Sequence, residues 1–289
     1  MTALALALLR ALAWLPLPLL RALGSALGLV LWLLARERRE VTLINLGLCF
    51  PESTEGARRR LARAHFRAFA QSFVERGLLW HAPEARLRRL IRLAHAGHFE
   101  QARATGRPLI LLAPHFVGLD AGWTRLTLDW RMMSMYANQK NPRFNEALRS
   151  GRLRFNDSLL LSRQQGIRTA LRELKEGRPF YYLPDMDFGP RDALFVPFFG
   201  VPAATVTAVA RLASLAQAVV IPCVTRMDRH GYVLEFHPPW EDYPGPDLAA
   251  ATRRMNAFIE DQVRALPAQY LWLHKRFKTR PPGEARYYR

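Results

Sequence analysis

The sequence predicts a layered α/β domain with a largely parallel sheet, preceded by an apolar helix that anchors the chain to a membrane. After residue 40, short apolar runs typical of buried strands alternate with helical patterns, which predicts the α/β part. Residues 1–35 are almost wholly apolar, which predicts the anchor. With 289 residues, half of them hydrophobic, the chain can bury a sizeable core and is too apolar to be disordered.

The amino terminus, residues 1–35, is interpreted as a membrane anchor, and residues 36–289 as the domain that carries the chemistry. The charge-free run 22–35 is shorter than the ~20 residues of a simple span. A longer segment places Arg21 inside the bilayer, at roughly 2.5–3.5 kcal/mol at the centre. A spanning helix, an interfacial helix and a buried helix pair therefore stay open. By the positive-inside rule, the cytoplasmic side is marked by the arginines that follow the anchor, Arg36, Arg38 and Arg39.

The remaining elements are assigned from the period of their apolar residues. Residues 56–79 predict an amphipathic helix with its aromatic stripe in the core. Strands are predicted at 108–113, 132–137, 180–183 and 219–225, with an edge strand at 232–236. Helices are predicted near 118–128, 143–155, 164–176, 204–217 and 247–265. Ligands of such sheets bind beyond the carboxyl ends of the strands, so we expect the chemistry there.

The charge balance predicts a polyanionic partner. The chain has 42 Lys+Arg against 24 Asp+Glu, a net charge of +18. A codon bias explains why arginine outnumbers lysine, but it does not explain the shortage of acids. Nucleic-acid-binding motifs are absent from the sequence, so an anionic membrane or a phosphorylated substrate is favoured. No metal or cofactor is expected, because Cys49 and Cys223 follow no ligand spacing and no dinucleotide or phosphate-loop motif occurs.

A His-x-x-x-x-Asp element follows the strand predicted at 108–113. On one continuous helix His115 and Asp120 would point about 140° apart, so they can meet only if His115 lies in a turn and Asp120 in the next helix. Pro114 supports that turn. His115 would then act as a general base, with Asp120 accepting a hydrogen bond from its other ring nitrogen. The alternative is a histidine in a turn near an unrelated aspartate.

Two further groups of polar residues follow later strands. The first group is basic and suits the binding of a phosphate or a carboxylate. The alternative is a solvated basic face. The group comprises Lys140, Arg143, Arg149, Arg152 and Arg154. The second is the pair Asp185 and Asp187, which could hold a metal or cationic side chains such as Arg152. The proline-punctuated run 195–202 after them is predicted either to line a groove for a hydrocarbon chain or to fold back onto the core.

In their order along the chain these segments resemble the bacterial lipid A biosynthesis acyltransferases. The resemblance covers nearly the whole chain. It rests on NLGLCFP at 45–51, HFVGLD at 115–120, KNPRFNEALRSGRLR at 140–154, PDMDFG at 184–189, VPFFGVPAAT at 196–205 and QYLWLHKRFKTRP at 269–281. The H-x-x-x-x-D/E element is shared with glycerolipid acyltransferases, whereas PDMDFG and RFKTRP are more specific to the lipid A branch. Many members have Glu where this chain has Asp120.

The resemblance implies an α/β/α layered acyltransferase domain on the cytoplasmic face of the inner membrane. It implies transfer of an acyl chain from acyl carrier protein to a hydroxyl of a lipid A precursor, with His115 as base and Asp120 as its partner. Arg152 and Asp185 match the other expected site residues, and Asp187, Lys140 and Arg154 are also expected to bind substrate. Which of Asp185 and Asp187 faces the site stays open. A different glycolipid or lysophospholipid acceptor is the alternative activity. A non-catalytic basic membrane-surface protein is the alternative class.

Overall fold

The computed structural model describes residues 2–162 and 166–288, and its strands lie in two sheets. The strands are β1 (Ile91–Ala94), β2 (Leu109–Leu112), β3 (Met133–Tyr136), β4 (Leu159–Ser162), β5 (Phe180–Tyr182), β6 (Ala193–Phe198), β7 (Val201–Val206), β8 (Val219–Asp228) and β9 (Gly231–Phe236). The main sheet has the order β1-β9-β8-β2-β5-β3-β4, and β6 and β7 form a separate hairpin. In the main sheet only β8 and β9 pair antiparallel, so the predicted, largely parallel sheet is confirmed.

Helices precede the sheet and connect its strands. They are α1 (Thr2–Leu12), α2 (Leu17–Leu34), α3 (Arg36–Cys49), α4 (Glu55–His81), α5 (Glu84–Leu90), α6 (Gly97–Ala104), α7 (Leu119–Asp129), α8 (Pro142–Arg152), α9 (Gly166–Lys175), α10 (Ala208–Ala216) and α11 (Leu248–Ala265). The long helix predicted at 56–79 is α4, and its Phe66 is buried in the core as expected. The first two residues of the helix predicted at 164–176 lie outside the described residues.

The two faces of β2 show the layering, because alternate residues of a strand point to opposite sides of the sheet. Ile110 and Leu112 belong to a core cluster with residues of α9, α10 and α11. Leu109 and Leu111 belong to a second cluster with residues of α6 and α7. Helices therefore cover both faces of the sheet, and the expected α/β/α arrangement is confirmed.

Two element predictions are wrong. The strand at 232–236 is not an edge, because β9 lies between β1 and β8. The helix predicted at 204–217 begins only at Ala208, because Ala203 and Ala204 pair with β6 instead. The proline-rich run 195–202 belongs to the β6–β7 hairpin, where Pro197 faces Pro202. A two-stranded ribbon tolerates prolines because its strands leave many N–H groups unpaired.

The apolar amino terminus forms two helices, separated by a break at residues 13–16. Within residues 2–162 and 166–288, α2 is the one helix long and apolar enough to cross a membrane by length and composition, and 22% of it is buried. It packs on α4, and Leu20 and Trp32 on its inner side are buried. Helix α2 is therefore a candidate membrane anchor with one side against the protein.

Candidate active site

His115 lies in the turn between β2 and α7, as its spacing predicts. The carboxyl-terminal segment fixes this turn, because the N–H of Leu271 donates to the carbonyl of His115 and the N–H of Val117 donates to the carbonyl of Gln269. An isolated β-bridge joins Phe116 to Tyr270. The imidazole is thus held at the carboxyl end of the central strand, where parallel sheets place their ligands.

The partner of His115 is Asp185. Its Oδ1 lies 2.7 Å from His115 Nδ1, and its Oδ2 accepts from the backbone N–H of His115 at 3.0 Å. Asp185 is fully buried and follows β5, the parallel neighbour of β2. Burial raises the pKa of Asp185, but the nearby His115 and its hydrogen bonds outweigh burial and lower that pKa to about 2. An ionised Asp185 keeps the proton of neutral His115 on Nδ1, which leaves Nε2 as the basic nitrogen.

Asp120 does not take the place expected for it beside His115. It lies in the first turn of α7, where its Oδ1 is 2.7 Å from Arg152 Nε and its Oδ2 is 3.0 Å from Arg76 Nε. Burial raises the pKa of Asp120, but the charges and hydrogen bonds of Arg152 and Arg76 lower it below its usual value. The expected contact between His115 and Asp120 is therefore wrong, because Asp120 turns toward α4 and α8.

Asp187 is directed away from His115, so of the two aspartates Asp185 is the one that faces the site. Its carboxylate accepts from the N–H of Thr279 at 2.6 Å and from the Thr279 hydroxyl at 2.8 Å. It also accepts from the N–H of Gly189 at 2.9 Å. Asp185 thus contacts the histidine, and Asp187 holds the carboxyl-terminal segment in place.

Of the cationic residues expected to bind substrate, only some lie near His115. Arg152 lines the cavity in front of His115, together with Asp120. Arg154 instead donates to the carbonyl of Ala82 at 2.8 Å, at the carboxyl end of α4. Lys140 is exposed just before α8 and does not line the described cavity. The expectation that Lys140 and Arg154 border the site is not met.

Arg76 is the site residue that the sequence reasoning missed. It lies on α4 three residues after Phe73, and its guanidinium carbon is 5.2 Å from the centre of the Phe73 ring. The available signal was the spacing of Phe66, Phe69, Phe73 and Arg76, which places an arginine on the apolar stripe of the helix. A cation on the buried side of a helix needs a counter-charge inside the protein, and Asp120 provides it.

The cavity in front of His115 has a volume of about 940 Å³ and is lined by both polar and apolar side chains. Its charged or titratable lining residues are Arg76, His115, Asp120, Arg152, Arg191, Asp192 and Arg211. Its apolar lining residues include Leu119, Trp123, Met135, Leu160, Leu183, Met186, Phe188, Leu212 and Leu215. Within residues 2–162 and 166–288 no group of three His, Cys, Asp or Glu side chains could hold a metal ion. The arrangement suits general-base chemistry on a substrate with an anionic head and a hydrocarbon chain.

A histidine held by a buried carboxylate, beside a cavity with many apolar lining residues on an α/β/α fold, is suited to general-base chemistry on a substrate with a hydrocarbon chain. The family model for bacterial lipid A biosynthesis acyltransferases matches residues 1–279, and the chain belongs to this family. It is 34% identical to the lipid A biosynthesis lauroyltransferase of Escherichia coli (strain K12), over 93% of this chain and 88% of that protein.

Other relatives give the same picture. The palmitoleoyltransferase of lipid A biosynthesis from the same organism is 31% identical, over 95% of this chain and 90% of its own length. The lipid A biosynthesis myristoyltransferase of the same organism is 32% identical, over 94% of this chain and 84% of its own length. The solved 1-acyl-sn-glycerophosphate acyltransferase from Thermotoga maritima has a TM-score of 0.39 and 14% identity, over 81% of this chain and all of its own, a likeness too slight to carry an argument. The chain is thus an acyltransferase of the lipid A family.

Proposed function

We propose that this protein transfers a fatty acyl chain from acyl carrier protein to a hydroxyl of a phosphorylated, Kdo-bearing lipid A precursor. The observation that carries the proposal is the His115–Asp185 pair, whose histidine borders a cavity lined by both charged and apolar side chains. Membership of the lipid A family supports the acceptor class, and the net charge of +18 suits both an acidic carrier protein and a phosphorylated acceptor. We place the reaction on the cytoplasmic face of the inner membrane, as membership of the lipid A acyltransferase family suggests.

In the proposed reaction, His115 Nε2 removes the proton of the acceptor hydroxyl as its oxygen attacks the carbonyl carbon of the thioester. The carbon–sulfur bond of the tetrahedral intermediate then breaks, and the leaving thiolate takes the proton from His115. Asp185 orients the ring and stabilises the imidazolium that forms between these steps. No net charge is gained or lost by the protein over the cycle.

The developing oxyanion needs a hydrogen-bond donor. Most backbone N–H groups in the turn after His115 are already used. The N–H groups of Phe116, Val117 and Leu119 already donate to carbonyls of Pro114, Gln269 and Phe116. Arg152 is partly exposed to the cavity, with 17% of its side-chain surface accessible. We therefore assign oxyanion stabilisation to Arg152, with Asp120 and Arg76 setting its position.

The test is a transfer assay with purified protein. Acyl carrier protein and coenzyme A, each loaded with chains of several lengths, are offered with the phosphorylated lipid A precursor or with lysophosphatidate. We expect fast transfer only from the carrier protein to the lipid A precursor. Equal rates on the two acceptors would remove the lipid A assignment and leave a general acyltransferase, and equal rates from coenzyme A would remove the carrier protein as donor.

A further inference from the structure

Helices α1 and α2 are packed tightly against α4. A Cβ added at Gly24 would come within 2.6 Å of the Cα of Gln71, and one added at Gly28 within 2.7 Å of the Cα of Arg67. Closer to the amino terminus, a Cβ added at Gly77 of α4 would lie 2.0 Å from the carbonyl oxygen of Leu9. Contacts this short require glycine, so these helices and α4 form one packed layer.

Arg21, the charge inside the apolar amino terminus, is satisfied within the protein. Its Nε lies 3.0 Å from Oε1 of Glu75, a side chain only 1% exposed. Its guanidinium also donates to the carbonyls of Asp228 and Gly231 in the turn between β8 and β9. Arg21 therefore fixes the first turns of α2 to α4 and to the edge of the domain.

The outer side of α1 and α2 is apolar. Its exposed large side chains are Leu4, Leu8, Trp14, Leu19, Leu23, Leu29, Val30, Leu33 and Leu34. Exposed cations border the same helices, because Arg63 and Arg67 project from α4 beside the second half of α2. The guanidinium carbons of Arg63 and Arg39 lie 5.5 Å and 5.6 Å from the Trp32 ring. An apolar face with a basic border is the pattern of a helix that lies in a membrane interface.

We propose that α1 and α2 lie in the plane of one leaflet of an anionic membrane, and that the chain does not cross the bilayer. If α2 spanned, its packing would carry α4 with it and set Arg67, beside Gly28, near the middle of the bilayer, where an exposed cation is strongly disfavoured. The bonds of Arg21 would also draw the turn between β8 and β9 to the far end of the same span. In the plane of the leaflet Arg63 and Arg67 reach lipid phosphates, which attract them. The proposal resolves whether the anchor spans or lies flat, and it does not rest on the proposed reaction.

Topology is the first test, with single cysteines added to the full chain at exposed positions on either side of the anchor. The variants are Arg10→Cys, Arg36→Cys and, as a marker of the domain, Arg107→Cys. Unaltered protein is the control, because Cys49 and Cys223 are buried. Sealed right-side-out and inverted vesicles are treated with a membrane-impermeant maleimide. We expect all three cysteines to react from the same side. Reaction of Arg10→Cys from the side opposite Arg107→Cys, or only after detergent is added, would overturn the proposal.

Binding to vesicles is the second test. The double variant Arg63→Gln/Arg67→Gln is compared with Arg107→Gln/Arg172→Gln, which removes two exposed charges from other parts of the chain. On vesicles containing phosphatidylglycerol we expect the first pair to lower the partition constant by roughly fivefold per arginine, and the second pair to have little effect. On pure phosphatidylcholine the two variants should bind alike. Equal losses for both pairs on anionic vesicles would overturn the role of the basic border.

Discussion

At the scale of the residue, the chemistry of His115 depends on a carboxylate 70 positions further along the chain. Asp185 contacts both the backbone N–H and the ring Nδ1 of His115, so a single side chain sets the position and the tautomer of the imidazole. With its pKa lowered to about 2, Asp185 stays ionised throughout the pH range in which enzymes of this kind work. Asp120 has a separate task, because it neutralises Arg76 and Arg152 at the edge of the same cavity.

The first prediction concerns the pair itself. His115→Ala should lower the transfer rate by about 10²–10⁴, because a general base is lost. Asp185→Asn should also lower the rate by about 10²–10⁴, since an amide can donate to Nδ1 and favour the wrong tautomer. Steady-state rates of both variants, with circular dichroism to confirm the fold, provide the measurement. Near-normal turnover of folded His115→Ala would exclude the mechanism.

The second prediction separates Asp120 from Asp185. Asp120→Asn leaves Arg76 and Arg152 without their counter-charge, so we expect a stability loss of about 3 kcal/mol and weaker binding of substrate. The pH dependence of the rate should stay as in the unaltered protein, because Asp120 does not touch His115. Thermal unfolding and pH–rate profiles of the two asparagine variants provide the comparison. A shifted profile for Asp120→Asn alone would restore Asp120 as the partner of the histidine.

At the scale of the element, the loop after β5 and the carboxyl-terminal segment support each other. Asp187 binds Thr279, while Leu271 and Gln269 of the same segment bind the turn that carries His115. Arg276 of this segment is buried and donates to the carbonyl of Ala204 and the hydroxyl of Thr205 in β7. Arg276 therefore joins the carboxyl-terminal segment to the β6–β7 hairpin.

The third prediction follows from this support. Asp187→Ala should loosen the carboxyl-terminal segment, because the two half-buried donors of Thr279 lose their acceptor, at a cost of about 1–3 kcal/mol in all. Protease cleavage after the cations near residue 278 should become faster, while His115 and Asp185 remain paired. Thr279→Ala removes only the hydroxyl and is the milder matched variant. Unchanged proteolysis of Asp187→Ala would show that the segment is held by its other contacts.

Elements that bury a continuous apolar run are the ones that the sequence predicts well. The runs that became β2 and β5 need only local hydrophobicity to be recognised, and so does the aromatic stripe of α4. The start of α10 was misplaced because Thr205 pairs across to β6 and binds Arg276 and Asn256, contacts that no local pattern contains. The contact between Asp185 and His115 is not predicted from the sequence for the same reason, because it depends on β5 lying beside β2.

At the scale of the whole molecule, buried histidines set the response to acid. Burial lowers the pKa of His65 to about 4, although the carbonyl of Ala268 acts to raise it. Burial, with Arg276 and His115 nearby, lowers the pKa of His274 to about 3. The unfolded chain, with histidines near 6.5, therefore binds more protons than the folded one below that pH. The contribution of these two histidines to stability is fully present above pH 6.5 and is lost progressively as the pH falls toward their lowered pKa values.

The fourth prediction is that the urea midpoint in detergent falls steadily between pH 6.5 and 4. His65 alone should account for about 3 kcal/mol of that loss. His65→Asn keeps a donor for the Ala268 carbonyl but does not titrate, so its stability should depend less on pH over the same range. Identical slopes for His65→Asn and the unaltered protein would show that other groups carry the acid response.

The last prediction connects the charge of the whole chain to the acceptor. A lipid A precursor presents a compact headgroup with two phosphates, whereas lysophosphatidate presents one, so the chain at +18 should favour the first. Arg152 lines the cavity, whereas Arg59 lies on an exposed turn of α4 beside Glu55. Arg152→Gln should slow transfer to the lipid A precursor by roughly 10- to 100-fold, and Arg59→Gln by little, because Arg152 borders the cavity beside His115 and Arg59 does not.

Salt separates this contact from the general attraction of a basic surface. Raising the ionic strength from about 0.01 M to 0.15 M shortens the screening length from about 30 Å to about 8 Å, which weakens the long-range pull on an acidic carrier protein. The apparent KM for the donor should therefore rise with salt in all variants alike. The deficit of Arg152→Gln should remain at high salt, because a contact inside the cavity is screened far less. Rates for both acceptors at fixed donor and two salt concentrations give the answer. A deficit of Arg152→Gln that vanishes at high salt would place the role of this arginine on the surface and not at the reacting carbonyl.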